Sequence, residues 1–172
     1  NLDIRNTAGS ALDQILIGNV YEGLVARDSK NQVVPAIASS WETSKDGLTY
    51  TFHLNKNMTF SNGDKLDAED VAWSINELIA KDYHDADALA AVDKVEAKAA
   101  ATVIYTLKSA NSNLLWTLTG RPGLVFDKDA KYDLKTQAIG SGPYIVSKFV
   151  ENSSITLKAN DKYWGKNKAK TP

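Results

Sequence analysis

Residues 46–54, DGLTYTFHL, alternate apolar and polar side chains with a period of two. Side chains of an extended strand point to opposite faces in turn, so this period predicts a β-strand with one buried face. The buried face carries Leu48, Tyr50, Phe52 and Leu54. The run SSWETS lies on the other side of Asp46-Gly47, a pair that tolerates the positive φ angles of a two-residue turn. Residues 39–54 are therefore predicted to form a β-hairpin.

A helix is predicted shortly after this hairpin. Asp67 precedes AEDVAWSINELIA, and its carboxylate can accept hydrogen bonds from the free amides of the first turn. Glu69 and Asp70 place negative charge at the positive end of the helix dipole. The apolar side chains Val71, Ile75, Leu78 and Ile79 recur at helical spacing. The segment is predicted to be an amphipathic helix that buries this stripe.

The remaining elements follow from the same two periods and from turn signals. Before the hairpin, they are a short strand with Leu2 and Ile4 and a helix capped by Ser10 and stopped by Gly23. After it come a short strand through Met58 and Phe60 that ends at Asn62-Gly63, a helical segment over 85–91, strands over 92–97 and 102–108, and a helix over 114–118 that ends at Gly120. The last two are the strands GSGPYIVSKFV and SITLKAN, joined across 151–153. Strands and helices are interspersed, which predicts an α/β fold.

The composition bounds the class of protein. A chain of 172 residues is expected to form one domain or two small ones. Lys and Arg number 20 against 21 Asp and Glu, a balance that argues against a nucleic-acid partner. The absence of Cys excludes disulfides, thiolate metal ligands and Cys nucleophiles within this sequence. The chain opens at Asn1 without a signal-peptide pattern, and we expect that it has been trimmed.

Three segments, in this order, resemble a known family. They are VYEGLV, then SWETSKDGLTYTFHLNKNMTF with LDAEDVAWSI, then GSGPYIVSKF with LKANDKYWG. Together they resemble the family 5 extracellular solute-binding proteins, the receptors of ABC importers for oligopeptides, dipeptides and nickel. The signature segment occupies residues 39–80 and the later segment residues 140–165.

The resemblance implies an architecture and a function. The architecture is α/β, with a mixed β-sheet and flanking helices that form the first lobe of a periplasmic-binding-protein-like two-lobed clamp. Family members have longer chains, so residues 1–172 are expected to be a partial first lobe without the second lobe. The implied function is to capture peptides or similar solutes between the lobes and to deliver them to a membrane permease. The implied location is outside the cytoplasm, in the periplasm or at a cell surface, with or without a lipid anchor. No enzyme activity and no cofactor are implied.

No sequence motif supports catalysis. The chain has no G-x-S-x-G, S-x-x-K or H-E-x-x-H pattern, so neither a serine nucleophile nor a metal-assisted hydrolase is indicated. Gly140-Ser141-Gly142 leads through Pro143 into a predicted strand and not into a helix whose amides could bind a phosphate. This run is therefore predicted to be a tight entry into a strand.

The two histidines are weak candidates for a site. His53 lies on the polar face of the predicted strand, where a partly exposed surface histidine is expected. His84 lies among Asp82, Asp85 and Asp87, which could gather around a divalent cation. The spacing lacks the Gly and the closing acidic residue of an EF-hand loop, so a solvated acidic turn is favoured and no metal site is predicted.

The candidate ligand-binding residues follow from the resemblance. In the family, the loop between the first strand and the first helix lies at the cleft, and the candidates in this loop are Ala8, Gly9, Ser10 and Ala11. The second group of candidates lies at the end of the helix over 114–118 and in the turn after it: Trp116, Thr119, Gly120 and Arg121. The third candidate is Tyr83. Small residues in the first loop let a ligand approach the backbone. Trp116 has two interpretations of equal weight, core packing and ligand contact.

Two other functions remain open from the sequence alone. The first alternative to solute transport is a non-transport scaffold or surface interaction module that reuses the lobe. The second alternative is an enzyme. A gene neighbourhood with permease and ATPase genes would favour transport.

Overall fold

The computed structural model describes residues 2–5, 10–83, 85–131, 137–150 and 154–165. Its helices are α1 (Ser10–Leu16), α2 (Ala68–Ala80) and α3 (Leu114–Thr117), with short 3-10 helices at Ala86–Leu89 and Arg121–Gly123. Its strands are β1 (Val25–Arg27), β2 (Val33–Pro35), β3 (Ala38–Thr43), β4 (Thr49–Leu54), β5 (Val92–Ala99), β6 (Thr102–Leu107), β7 (Tyr144–Val150) and β8 (Ser154–Ala159). The α/β class predicted from the sequence is confirmed.

The predicted hairpin is formed by β3 and β4, but its loop is longer than expected. The backbone N–H of Ser44 donates to the carbonyl of Thr49, which leaves the four residues 45–48 in the loop. Gly47 has the positive φ that the turn requires, +74°. The Asp46 carboxylate instead accepts hydrogen bonds from the hydroxyl of Ser44 at 2.6 Å and from the N–H of Leu48 at 3.0 Å. The two-residue turn was wrong because Asp46 caps the loop with its side chain.

The main sheet has the strand order β3-β4-β6-β5, with every neighbouring pair antiparallel. Its buried face confirms the two predicted alternations: Tyr50, Phe52 and Leu54 in β4 and Val103, Tyr105 and Leu107 in β6 are all buried. The rings of Phe52 and Tyr105 meet edge to face with centroids 5.2 Å apart. Helix α2 packs against β5 and β6 and joins the same core.

Helix α2 starts where the sequence predicts. The Asp67 carboxylate accepts hydrogen bonds from the N–H of Glu69 and of Asp70, and the Asp70 carboxylate accepts one from the N–H of Asp67. This reciprocal arrangement is a capping box. Burial, the largest effect, raises the pKa of Asp70 to about 6. Ile79 was wrongly placed in the buried stripe, because it lies one step around the helix from Leu78 and is 37% exposed.

The described residues that precede β1 differ from the prediction. Leu2 and Ile4 are buried but lie in no strand. Helix α1 ends at Leu16 and not near Gly23, because the carbonyl of Leu16 accepts the N–H groups of Val20 and Tyr21 in a tight turn. Gly18 within this turn has a φ of +82°. Ser10, predicted as the cap, is the first residue of the helix.

Two further elements are shorter than predicted, and one hairpin is formed as predicted. The segment through Met58 and Phe60 makes only an isolated bridge between Thr59 and Lys65. The helical segment over 85–91 is the 3-10 helix Ala86–Leu89. β7 and β8 form the predicted hairpin, although residues 151–153 lie outside the described chain.

The strand directions also depart from the expected mixed sheet. All pairs of named strands in the described residues are antiparallel. Four of the five pairs join strands that follow one another in the chain, whereas β4 and β6 are connected through α2 and β5. None of the described helices is long and apolar enough to cross a membrane.

Candidate functional site

Two concavities lie on either side of Thr119, which lines both of them. The first, the α1–α3 groove, has a volume of about 550 Å³ and is bordered by α1, the end of α3 and the turn that follows α3. The second, the Glu22 groove, has a volume of about 730 Å³ and lies between the β1–β2 hairpin and Tyr163-Trp164. Both volumes fall in the range of small-ligand sites.

The α1–α3 groove brings together one of the three predicted groups. Trp116, Thr119, Gly120 and Arg121 all line it. They do so because α3 ends after one turn and the chain then folds into the 3-10 helix Arg121–Gly123. The four candidates between Trp116 and Arg121 therefore form a continuous surface of one groove.

Among the described residues, the predicted candidates Ala11 and Tyr83 do not line this groove. Ala11 is exposed on α1, whereas Ala8 and Gly9, and the side chain of Ser10, lie outside the described residues. Tyr83 packs against the core, and the Arg5 guanidinium lies 4.7 Å from the centre of its ring. The structure therefore separates Tyr83 from the residues of the α1–α3 groove.

Arg121 is the buried cation of the groove. Its side chain is 7% exposed and forms an ion pair of 2.5 Å with Asp13 on α1 and a longer one, 3.8 Å, with Asp85. Its Nε atom is buried without a hydrogen-bond partner among the described residues. Two carboxylates therefore balance the positive charge of Arg121, and the ion pair with Asp13 joins α1 to the turn after α3.

Trp116 lies at the rim of the groove and not in the core. Its side chain is 44% exposed, and the guanidinium of Arg27, on β1, lies over its ring at 4.6 Å from the ring centre. The core-packing interpretation of Trp116 is thus wrong, because the core beneath α3 is filled by Leu114 and Leu118. The exposed position leaves Trp116 available to a ligand.

The Glu22 groove contains a pair that the sequence analysis missed. The Tyr163 hydroxyl donates a short hydrogen bond to Oε1 of Glu22, whereas Oε2 of Glu22 is buried without a partner in the described part of the chain. Burial raises the pKa of Glu22 to about 7, and the hydrogen bond from Tyr163 opposes this shift. Glu22 and Tyr163 belong to the motifs quoted above, VYEGLV and LKANDKYWG, and the available signal was Glu22, the one charged residue of VYEGLV.

The GSG run is a tight entry into a strand, as predicted. The N–H of Gly142 donates to the carbonyl of Val20 at 3.0 Å, and a Cβ atom on Gly142 would lie 2.2 Å from the carbonyl oxygen of Asn19. Only glycine permits this approach of two backbones. The Trp164 indole N–H donates to the carbonyl of Ser141, which attaches the YW segment to the same run.

The histidine predictions have different outcomes. His53 is a surface residue, as expected, with Nε2 at 3.0 Å from Oε1 of the exposed Glu42. His84 lies outside the described residues. Within the described ranges, no group of three or more His, Asp or Glu side chains is arranged to hold a metal ion.

An α/β scaffold with polar and aromatic groups converging on open grooves is typical of ligand-binding proteins. The sequence profile described as bacterial extracellular solute-binding proteins, family 5 Middle, matches residues 32–171. The chain belongs to this family, whose members are solute-binding proteins and not enzymes.

Similar proteins support the same family. Protein XP55 of Streptomyces lividans is 32% identical over 152 residues, which cover 85% of this chain and 28% of XP55. The dipeptide-binding protein of Escherichia coli is 28% identical over a match of 189 residues, gaps included, and the match covers 92% of this chain and 35% of that protein. The crystal structure of NikZ from Campylobacter jejuni in complex with Ni(L-His) superposes with a TM-score of 0.83 at 27% identity, covering 90% of this chain and 32% of NikZ. The chain thus spans about a third of the length of these relatives.

Proposed function

We propose that residues 1–172 form part of the first lobe of a substrate-binding component of an ABC importer, and that the α1–α3 groove contributes to its solute site. The observation that carries the proposal is the convergence of Trp116, Thr119, Gly120 and Arg121 on one groove of a family 5 scaffold. Relatives that are named for dipeptides, and a structural relative in complex with Ni(L-His), favour small polar solutes.

The groove supplies two kinds of contact. Trp116 offers the exposed part of its ring to apolar parts of a solute. The Thr119 hydroxyl donates to the carbonyl of Trp116 at 2.6 Å, so it can offer a solute only an acceptor lone pair. Arg121 and its partner Asp13 hold the groove walls in position through a largely buried ion pair. A peptide main chain held by such polar groups is bound without selection for its side chains.

Solute capture in this proposal requires a second lobe. Closure of two lobes around the solute would exclude water and add contacts from the opposite side. The proposed partner after closure is a membrane permease, and the proposed location is outside the cytoplasm, in the periplasm or at the cell surface. The coverage of about a third of the length of the relatives supports assigning the second lobe to further polypeptide.

One lobe alone is expected to bind weakly, because it leaves much of the solute in water. Calorimetric titration with di- to pentapeptides tests this proposal on two proteins, the 172-residue chain and the complete product of its gene. The complete product is expected to bind at least one peptide with a Kd at or below the micromolar range, and the 172-residue chain at least tenfold more weakly. Binding by the 172-residue chain within about tenfold of the complete product would contradict the need for a second lobe, and no binding by the complete product would contradict the function.

A further inference from the structure

Asn62 links two carboxyl groups through its side-chain amide. Its Nδ2 atom donates hydrogen bonds to Oδ2 of Asp64 at 3.1 Å and to Oδ2 of Asp127 at 3.0 Å. Asp127 is 4% exposed, and its burial, followed by its contact with Asp64, raises its pKa, whereas the hydrogen bond from Asn62 opposes this shift. One neutral amide therefore joins two carboxyl groups that repel each other when both are ionised.

This link connects the two hydrophobic cores of the protein. The 60–65 turn, in which the N–H of Phe60 donates to the carbonyl of Asp64, belongs to the larger core through the ring of Phe60. Asp127 follows Phe126, which belongs to the smaller core. The two linked residues, Asn62 and Asp127, are 65 positions apart in the sequence. The amide of Asn62 thus holds a turn of one core against the segment 125–129 at the other.

Asn62 is followed by Gly63, and this pair is chemically unstable. In an Asn-Gly pair, the backbone nitrogen of Gly can attack Cγ of Asn to form a succinimide ring. The Cγ–Nδ2 bond then breaks, and the amide group leaves as ammonia with the proton of the Gly N–H. Water opens the ring and gives Asp or isoaspartate. Glycine favours this attack because it has no side chain to hinder it, and a Cβ atom on Gly63 would meet no other atom within 4 Å.

The folded turn slows this reaction but leaves it accessible. The N–H of Gly63 donates to the carbonyl of Phe60 at 2.9 Å, and Oδ1 of Asn62 accepts the N–H of Asp64 at 2.9 Å. Attack on Cγ requires the turn to open and release these groups. Both Asn62 and Gly63 are exposed, and exposed turns open locally at a small cost in free energy. The folded protein is therefore expected to react, but more slowly than the unfolded chain.

We propose that Asn62 is a site of spontaneous deamidation, and that its conversion to a carboxylate separates the 60–65 turn from the segment 125–129. The converted side chain donates no hydrogen bond to Asp64 or Asp127, and it adds a third negative charge beside them. The inference is independent of the proposed function, because it concerns the joint between the two cores.

The nearby cations do not offset this third charge. Within the described ranges, neither Asp64 nor Asp127 forms an ion pair. The ammonium group of Lys128 already contacts two other carboxylates. Lys65 is next to Asp64 in the sequence but is exposed, so water screens its charge.

The first experiment locates the reaction in the complete gene product, incubated for several days at pH 8 in buffer and in concentrated urea. Trypsin then releases the peptide 57–65, which contains Asn62 and also Asn57, an internal control that precedes Met58. Fragment mass spectra are expected to place nearly all of the modification at Asn62 in both samples, with a reaction about tenfold slower in buffer than in urea. Equal modification of Asn57 and Asn62 in buffer, or no modification of Asn62 in buffer, would overturn the assignment.

The second experiment measures the structural consequence by hydrogen exchange and mass spectrometry of the complete gene product at pH 8. Asn62→Asp is expected to exchange about tenfold faster than the wild-type protein in peptides that cover 60–65 and 125–129, because the lost link and the added charge both favour local opening. Asn62→Ala removes the donor without adding a charge and is expected to have a smaller effect. Asn57→Asp is the matched control, because it adds the same charge at an exposed Asn before the turn, and it should exchange like the wild-type protein.

Three results would overturn the structural part of the inference. They are wild-type exchange rates in Asn62→Asp, equal effects of Asn62→Asp and Asn62→Ala, and equal effects of Asn62→Asp and Asn57→Asp. Wild-type protein that has deamidated at Asn62, separated by anion exchange, gives the same comparison if the Asp variant does not accumulate in folded form. Neither experiment uses peptide binding, so failure of the inference leaves the proposed function intact.

Discussion

The Tyr163 hydroxyl donates a hydrogen bond to the Glu22 carboxylate although 141 positions separate the two residues in the sequence. The contact joins the VYEGLV segment to the YWG segment, and both residues line the Glu22 groove. Burial, then the charge of Glu22, raises the pKa of Tyr163, so the tyrosine remains the proton donor. Two motifs that the sequence analysis quoted separately thus form one contact.

This contact predicts a pH dependence of stability. The pKa of Glu22 is raised from 4.5 to about 7 in the folded protein. The folded state therefore binds the proton more tightly than the unfolded state, and the stabilising effect is fully present below about pH 4.5 and is lost as the pH rises through about 7. At about 1.4 kcal/mol per pKa unit, the effect is on the order of 3 kcal/mol at most.

Glu22→Gln tests this dependence by urea unfolding at pH 5 and at pH 8. The free energy of unfolding of the wild-type protein should fall more between these pH values than that of the variant. Asp70 and Asp127 also have raised pKa values but titrate in both proteins, so the difference isolates Glu22. Identical pH profiles of the two proteins would contradict the raised pKa of Glu22 in the folded protein.

Removal of the Tyr163 hydroxyl is expected to have a second effect on stability. Tyr163→Phe leaves both oxygens of Glu22 without a partner in the described chain, so it should lower the free energy of unfolding at pH 8 by roughly 1–3 kcal/mol. The loss should be smaller at pH 5, where Glu22 is protonated. Tyr50→Phe is the control, because it removes a hydroxyl whose contact is a longer hydrogen bond, 3.3 Å, to the carbonyl of Asn111. Equal losses in the two variants, independent of pH, would show that the Glu22 contact has no special role.

The close approach of two backbones at Gly142 predicts a large cost for any side chain there. In Gly142→Ala, the new methyl group would lie 2.2 Å from the carbonyl oxygen of Asn19, so the chain must shift. We expect a loss of more than about 2 kcal/mol in the free energy of unfolding, at the upper part of the range for overpacking. Gly120→Ala is the control, since its nearest atom is 3.8 Å away. Thermal or urea unfolding measures both, and a Gly142→Ala protein as stable as the control would refute the close approach.

The elements that the sequence predicted well are those whose signals are local. The alternation in β4 and β6 and the Asp67 cap of α2 depend on residues within a few positions, and each recurs in the structure at the predicted place. The end of α1 and the exposure of Trp116 were not decided locally. The first depends on a turn that reaches back to the carbonyl of Leu16, and the second on which leucines of α3 fill the core.

In the candidate site, too, neighbouring residues were predicted together, whereas contacts between distant residues were not. The family resemblance selected Trp116 and the turn after α3, and the structure places them on one groove. The ion pair of Arg121 with Asp13 joins residues 108 positions apart, and the contact of Arg27 with Trp116 joins two different elements. No periodicity or spacing encodes such contacts, because they arise only when the elements pack together.

The most direct test of the central claim follows the indole N–H signals of the four tryptophans by NMR while a peptide that binds is added to the complete gene product. Trp116 lines the α1–α3 groove, Trp164 lines the Glu22 groove, and Trp41 and Trp73 line neither. We expect the Trp116 signal to shift in proportion to peptide occupancy while the Trp41 and Trp73 signals stay unchanged. A saturating peptide that leaves Trp116 unshifted, or that shifts Trp164 alone, would contradict the assignment of the solute site to the α1–α3 groove.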